Sequence, residues 1–341
     1  IDYTGGVGSW KFEPQRTNLF IASEDFSASW SQNNVLIDIN QIISPNGTLD
    51  ADLIKESSTN TPHFIFQTVG ATTTSEYTLS VFAKYYSRFL QVFFGGGDVS
   101  GNPYVNFDLQ NGTFNNVGAN SVSMENYGNG WYKCTIIATS SVTSSFNPIF
   151  GLVDTLGAAR ASSYTGNGTS GVYLWGAQLE AGSYPTSYIR SNTGSATTRL
   201  ADAANSAGSS DLINSTEGVL MVEFSANNQD VGWIGLGSGS SNRILLGTSG
   251  GNVRSYNNIG GTVINYQSTI NSNSNNKIAI KYKSGDTDIY INGFKLFESN
   301  AAFTVSSSFD KLEFKNLVGE TQNFYGNTKC VAVFKEALTD L

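Results

Sequence analysis

A single histidine, two cysteines and two methionines among 341 residues leave little room for several common chemistries. A Ser-His-Asp relay or a histidine metal site would have to use His63. It stands at a strand start in TPHFIFQ, a place suited to a rim residue rather than a catalyst. Cys134 (YKCTII) and Cys330 (KCVAVF) sit in strand-like runs in different halves of the chain, so two buried free thiols are expected. Charge is also scarce, at 13% of residues against about a quarter in an average soluble domain. Lys+Arg 19 against Asp+Glu 27 gives 19 − 27 = −8. An acidic chain without a basic face is a poor partner for nucleic acid, because phosphates need neutralising. No run of about 18 apolar residues occurs, so no membrane insertion is expected. No leader-like segment opens the sequence, and Ile1 rather than Met suggests a fragment or a processed product.

Glycine (36 residues), serine, threonine and asparagine fill the space that charge leaves. Such a composition goes with many short strands joined by tight turns. Strand-like runs recur at Asp52–Lys55, Phe64–Gln67, Tyr77–Lys84, Phe89–Phe94, Tyr104–Leu109, Trp131–Ala138 and Ile149–Val153. Turn signals separate them, among them Pro45-Asn-Gly, Asn111-Gly and Gly128-Asn-Gly; Asn-Gly suits hairpins because both central residues take φ > 0. Asn46, Asn111 and Asn167 each open an Asn-Gly-Thr string, read here as turns rather than glycosylation sites. A second set of strands begins at EGVLMVEF and includes the hairpin NKIAIKYKSGDTDIYINGFKL. A short tail from Glu336 could start a helical turn. The fold class expected is all-β, with two tandem antiparallel β-sandwiches (jelly rolls). Residues 1–17 read as an extended lead-in, 18–190 as the first sandwich, 191–214 as a linker and 215–341 as the second sandwich. Tyr184, Pro185 and Tyr188 are too apolar for a free tether, so they are expected to pack along the first sandwich.

Period-2 alternation assigns the faces. Tyr77, Leu79, Val81 and Ala83 share a core face, as do Val105, Phe107 and Leu109, and Tyr132, Cys134, Ile136 and Ala138. For Phe89–Phe94 either Phe89, Gln91 and Phe93 or Leu90, Val92 and Phe94 point inward. The opposite faces are not plainly hydrophilic. Aromatic surface against the apolar face of a pyranose, with amides and cations for hydroxyls, is the chemistry of sugar recognition. Phe82, Gln91, Phe93, Tyr104, Asn106, Trp131 and Lys133 would supply it from adjacent strands of one sheet. Two readings of this face stand side by side, a glycan site and a surface that packs on a neighbouring subunit. Tyr85, Tyr86 and Arg88 form a second exposed group. In the second sandwich Arg254 and Tyr256, two residues apart on one strand face, are further ligand-binding candidates beside Trp233 and Arg243. Glycosidase chemistry needs two facing carboxylates; Glu223 stands alone on its strand, and Asp286 and Asp288 flank a turn. No catalytic residues are assigned, and no enzyme activity is expected.

Residues 18 to about 190 resemble carbohydrate-binding jelly-roll modules appended to glycanases, through NLFIASEDF, SPNGTLDADLI, GNGWYKC and GVYLWGAQLEAG. Residues 215–341 resemble laminin-G/concanavalin A-like lectin sandwiches, through EGVLMVEFSA and KIAIKYKSGDTDIYINGFKL. The tandem order, with EPQRTNL ahead and WGAQLEAGSYPTSYI between, resembles tailed-phage fibre and virion surface proteins. The resemblance implies a non-catalytic protein at the virion surface, extracellular to the host, that binds bacterial surface polysaccharide. It also implies a homotrimer among other virion proteins. A purely structural decoration protein, or a binding module of a secreted glycanase or adhesin, are the alternatives. Modules of this kind often hold a structural Ca²⁺, for which Glu24 and Asp25 are the candidates here. Gly176, Ala177 and Gln178 stand where acidic ligands would be expected, and calcium needs oxygen ligands in number. No other cofactor is expected.

Overall fold

The computed structural model describes residues 8–191, 194–319 and 321–338, and among them every regular element is a β-strand or bridge apart from turns. The chain is all-β and divides into two units, Gln15–Leu200 and a second made of residues before Gln15 together with Ala201 onward.

The first unit is a sandwich of two six-stranded sheets. One sheet runs Ser121–Gly128, Trp131–Thr139, Glu76–Tyr85, Gly171–Ala181, Leu49–Glu56, Val35–Ile43. The facing sheet runs Thr113–Val117, Tyr104–Asp108, Phe89–Phe94, Pro148–Val153, His63–Phe66, Ser31–Asn33. The predicted core faces meet between them: Leu79, Val81, Val105, Phe107, Cys134 and Ile136 are fully buried in one cluster. Leu90, Val92 and Phe94 are the inward set of the Phe89–Phe94 strand. Asn111-Gly112 closes the hairpin that pairs Tyr104–Asp108 with Thr113–Val117. Cys134 is a free thiol whose burial pushes its pKa up, which keeps it an inert apolar residue.

The strands holding the predicted glycan face belong to different sheets, which corrects the expectation of one shared surface. Phe82, Trp131 and Lys133 point outward from the first sheet, Gln91, Phe93, Tyr104 and Asn106 from the other. Alternation separates inward from outward, but it cannot say which sheet a strand joins.

The second unit pairs a six-stranded with a five-stranded sheet. Leu220, Val222, Phe224, Ile278, Ile280, Tyr282, Ile289 and Ile291 fill its core, as their alternation predicts. Two segments differ from the expected layout. Trp10–Phe12, expected within an extended lead-in, is the edge strand beside Gly326–Phe334. Phe12 stacks on Phe314 with ring centroids 4.3 Å apart, and Glu13 N–H donates to Asp202 Oδ2 at 2.9 Å. Within the stretch expected as a linker, Thr197–Arg199 pairs with Arg16–Asn18 in the first unit, and Ala207 bridges Leu312 in the second. The first seven residues of the lead-in, Asn192 and Thr193 of the linker, and the tail beyond Leu338 lie outside the described residues.

Candidate functional site

A groove of about 530 Å³ opens on the outer face of the first unit's Ser121–Val35 sheet. Its two walls are turns whose sequences dictate their shape. In Tyr127-Gly-Asn-Gly the three turn residues all take positive φ, +81° at Gly128, +51° at Asn129 and +78° at Gly130, a run that glycine and asparagine tolerate best. The facing turn is stiffened by Asn46, whose Oδ1 accepts from Ser44 Oγ at 2.7 Å and Thr48 N at 2.8 Å. Ile43 (61% exposed) and Leu49 (62%) flank that turn, and Tyr127 (50%) faces them. The floor is aromatic. Trp131 is buried and donates its indole N–H to the Ile43 carbonyl at 3.1 Å; Phe82 lies beneath Tyr127, edge to face at 4.8 Å. Among the described residues Lys84 is the one charged side chain in the lining.

The part of that sheet face around Trp175 and Lys133 is closed. The segment after Ala181 folds back across it, so Tyr188 packs on Trp175 at 4.8 Å and Phe82 at 6.2 Å. Thr186 N–H donates to Glu180 Oε2 at 3.0 Å, Ile189 N–H to Gln178 Oε1 at 2.6 Å, and Lys133 Nζ to the Thr186 carbonyl at 3.2 Å. Lys133 is therefore buried under the chain's own exit segment and cannot meet a ligand there.

The outer face of the other sheet is closed too. The loop around residues 156–161 lies over it: Asn106 Nδ2 donates to the carbonyls of Leu156 and Ala158 at 2.9 and 2.7 Å. Gln91 Oε1 accepts Ala161 N–H at 2.7 Å, and the Arg160 guanidinium covers the Phe93 ring at 4.9 Å. Gln91, Phe93 and Asn106 are buried and Tyr104 is half-buried opposite Phe93. The expected open face is thus a pair of plugged ones: covering the aromatic rings removes apolar surface from water, and the amides buried with them bond to the covering loop instead of solvent. Of the predicted ligand-binding residues that the structure describes, Trp131 lines the groove, while Phe82 supports Tyr127 from below.

Sequence reading passed over Tyr127, Ile43 and Leu49. Their signal is large apolar side chains abutting Asn-Gly turns, where polar residues are the norm. Arg88, from the second exposed group, is clamped: its guanidinium holds the buried Glu56 carboxylate at 2.7 and 2.8 Å, and Tyr164 O–H adds 2.7 Å. These donors hold the Glu56 carboxyl below its ordinary pKa against its burial. Tyr86 stays exposed, edge-on to Tyr173 at 5.4 Å. In the second unit Arg254 and Tyr256 do share a face. Arg254 bonds Asn265 and Ser249, each at 3.1 Å, and lies over Trp233; Arg243 covers Tyr256 at 5.4 Å. Those cations are spent within the sheet.

His63 is buried, its Nδ1 2.7 Å from the Asn34 carbonyl oxygen and its Nε2 3.4 Å from that of Tyr164, a packing role. Glu24 and Asp25 border a smaller cavity of about 300 Å³ with Asp50, Asp52 and Arg190. Glu24 is held by Arg190 at 2.9 Å and Tyr188 O–H at 3.0 Å, and Asp25 Oδ1 caps Ser27 and Ala28. A guanidinium already pairs with Glu24 and backbone N–H groups with Asp25, so both calcium candidates are engaged within the chain. Among the described residues no group of three or more His, Cys, Asp or Glu is placed to hold a metal ion.

No family model matches the sequence, and no curated protein matches it. Among solved structures, the chain is similar to mouse laminin α1 chain domains LG4-5, at 11% identity over 93% of this chain and 91% of that one, with a TM-score of 0.28. It is also similar to the LG1-3 region of the laminin α2 chain, at 12% identity over 82% of this chain and 63% of that one, with a TM-score of 0.30. Overlaps this loose carry no weight for the site, whose reading rests on its own geometry.

Proposed function

We propose that this chain is a non-catalytic glycan-binding protein of a tailed-phage virion surface, attaching the particle to bacterial surface polysaccharide. The observation that carries the binding half is the open groove between Tyr127 and the Ile43–Leu49 turn. It pairs an exposed phenol and aliphatic walls with a half-buried cation, the mix that a pyranose ring and its hydroxyls need. The phage half rests on the sequence likeness of EPQRTNL and WGAQLEAGSYPTSYI. Weak single sites on a homotrimer, repeated over a particle, would give avidity. A glycan array with the whole chain and with Tyr127→Ala tests the reading: binding to host polysaccharide that the substitution removes supports it, and no binding to any host glycan sinks it.

A second reading, a structural decoration protein, draws on Leu36 (50% exposed) and Ile39 (49%) along the edge strand Val35–Ile43, apolar surface of the kind that subunit contacts cover.

A further inference from the structure

We propose that the groove selects a carboxylated polysaccharide and that Lys84 reads the charge. This rests on the groove being the glycan site. Other lysines with little exposure have partners: Lys55 lies 2.6 Å from Asp38, Lys281 2.5 Å from Asp288 and Lys315 3.6 Å from Glu313, and Lys133 donates to the Thr186 carbonyl. Lys84 is half-buried, and among the described residues no carboxylate, carbonyl or hydroxyl engages its ammonium group. Among the described residues no acidic side chain lines the groove beside it. Partly desolvating a cation without a partner costs free energy. An anionic group arriving with the ligand would recover that cost as a charge-assisted hydrogen bond.

The stem of Lys84 is also confined. Lys84 sits in register between Trp131 on one neighbouring strand and Tyr173 on the other. Its stem crosses Gly130, where a Cβ would stand 3.3 Å from Lys84 Cε, so glycine there leaves the lysine its path. Aromatic surface continues on both sides, Tyr127 one way and the Tyr173–Tyr86 pair the other. The charge therefore lies in the groove lining beside Trp131, within reach of a carboxylate on a sugar bound there. The protein's net charge of −8 repels polyanions in general, so uptake of an acidic glycan depends on this local cation.

The test is titration of the whole chain, and of Lys84→Met, with polygalacturonate and with its fully methyl-esterified form. The two polymers share a backbone and differ in charge. The native chain is expected to favour the acid about fivefold or more, a preference shrinking with added salt. Lys84→Met, which keeps the stem, is expected to erase the difference. Equal binding of both polymers by the native chain, or a preference that survives Lys84→Met, overturns the charge selection and leaves the groove standing. Binding to neither polymer while the array finds a neutral ligand also overturns it. An array with no ligand at all removes the groove reading itself.

Discussion

The side-chain amide of Asn18 donates a hydrogen bond of 2.9 Å to the carbonyl oxygen of Ile189, joining the start of the first sandwich to its exit. The same amide donates to Ala177 O at 3.0 Å, and its oxygen accepts from Leu179 N at 3.1 Å and Phe20 N at 3.2 Å. Nearby, Arg16 lies over the Tyr184 ring at 5.2 Å. The strings EPQRTNL and WGAQLEAGSYPTSYI, far apart in sequence, are thus two halves of one structural lock. Asn18→Ala would orphan several buried backbone groups. We expect it to destabilise the first unit by about 3 kcal/mol, read by calorimetry; a loss under about 1 kcal/mol would contradict this role.

Trp131 and Tyr127 should separate folding from binding. Trp131→Ala empties a buried site and frees the Ile43 carbonyl, at a cost of about 3–5 kcal/mol. Tyr127→Ala removes a half-exposed ring and should cost under about 1 kcal/mol while lowering glycan affinity. Denaturant curves beside affinity electrophoresis check the pair. Equal effects of the two substitutions on stability would count against the assignment of floor and wall.

Asp52 gives the first unit a pH signature. Burial, with the nearby charges of Asp25 and Asp50, pushes its carboxyl up to about 6, although Phe26 N–H and Asn40 N–H donate to it. A carboxyl raised in the folded state favours folding below its ordinary pKa and loses that contribution as pH rises through the folded value. Stability of this unit should therefore fall by on the order of 2 kcal/mol between about pH 4 and pH 6.5. Melting curves of the native chain and Asp52→Asn across that range test it; parallel slopes would rule Asp52 out as the source. Glu56 acts in the opposite sense and at lower pH, since its lowered carboxyl contributes stability that is lost on acidification through its folded value.

Arg254→Ala tests where binding resides. Its partners are Asn265, Ser249 and the Trp233 ring, so we expect a loss of about 1 kcal/mol in the second unit and no change in glycan affinity. Weakened binding would move the site to that sheet.

Much of the fold is legible in the sequence because alternation and Asn-Gly turns are local signals. Leu79, Val105, Ile136, Val222 and Ile280 all declare their inward face two residues at a time. The site was less legible because it depends on what lies above a sheet. Nothing local says that the loop bearing Ala158 and Arg160 will cover Gln91 and Asn106, or that Thr186 will cap Lys133. The aromatic and amide side chains of those faces serve to hold loops down. The open remainder is marked by Ile43, Leu49 and Tyr127, whose exposure only the assembled turns reveal.

Trp10 pairs with Thr328 in the edge of the second unit's sheet, so that unit takes one strand from before the first sandwich and the rest from after it. In the order of synthesis, Trp10–Phe12 is made long before the strand it pairs with. The sandwich spanning Gln15–Leu200 can fold while the chain is still emerging, whereas the other must wait for Gly326–Phe334 to appear. Until then the Trp10–Phe12 edge is an unpaired strand on a nascent chain, open to the wrong neighbour when several copies are made side by side.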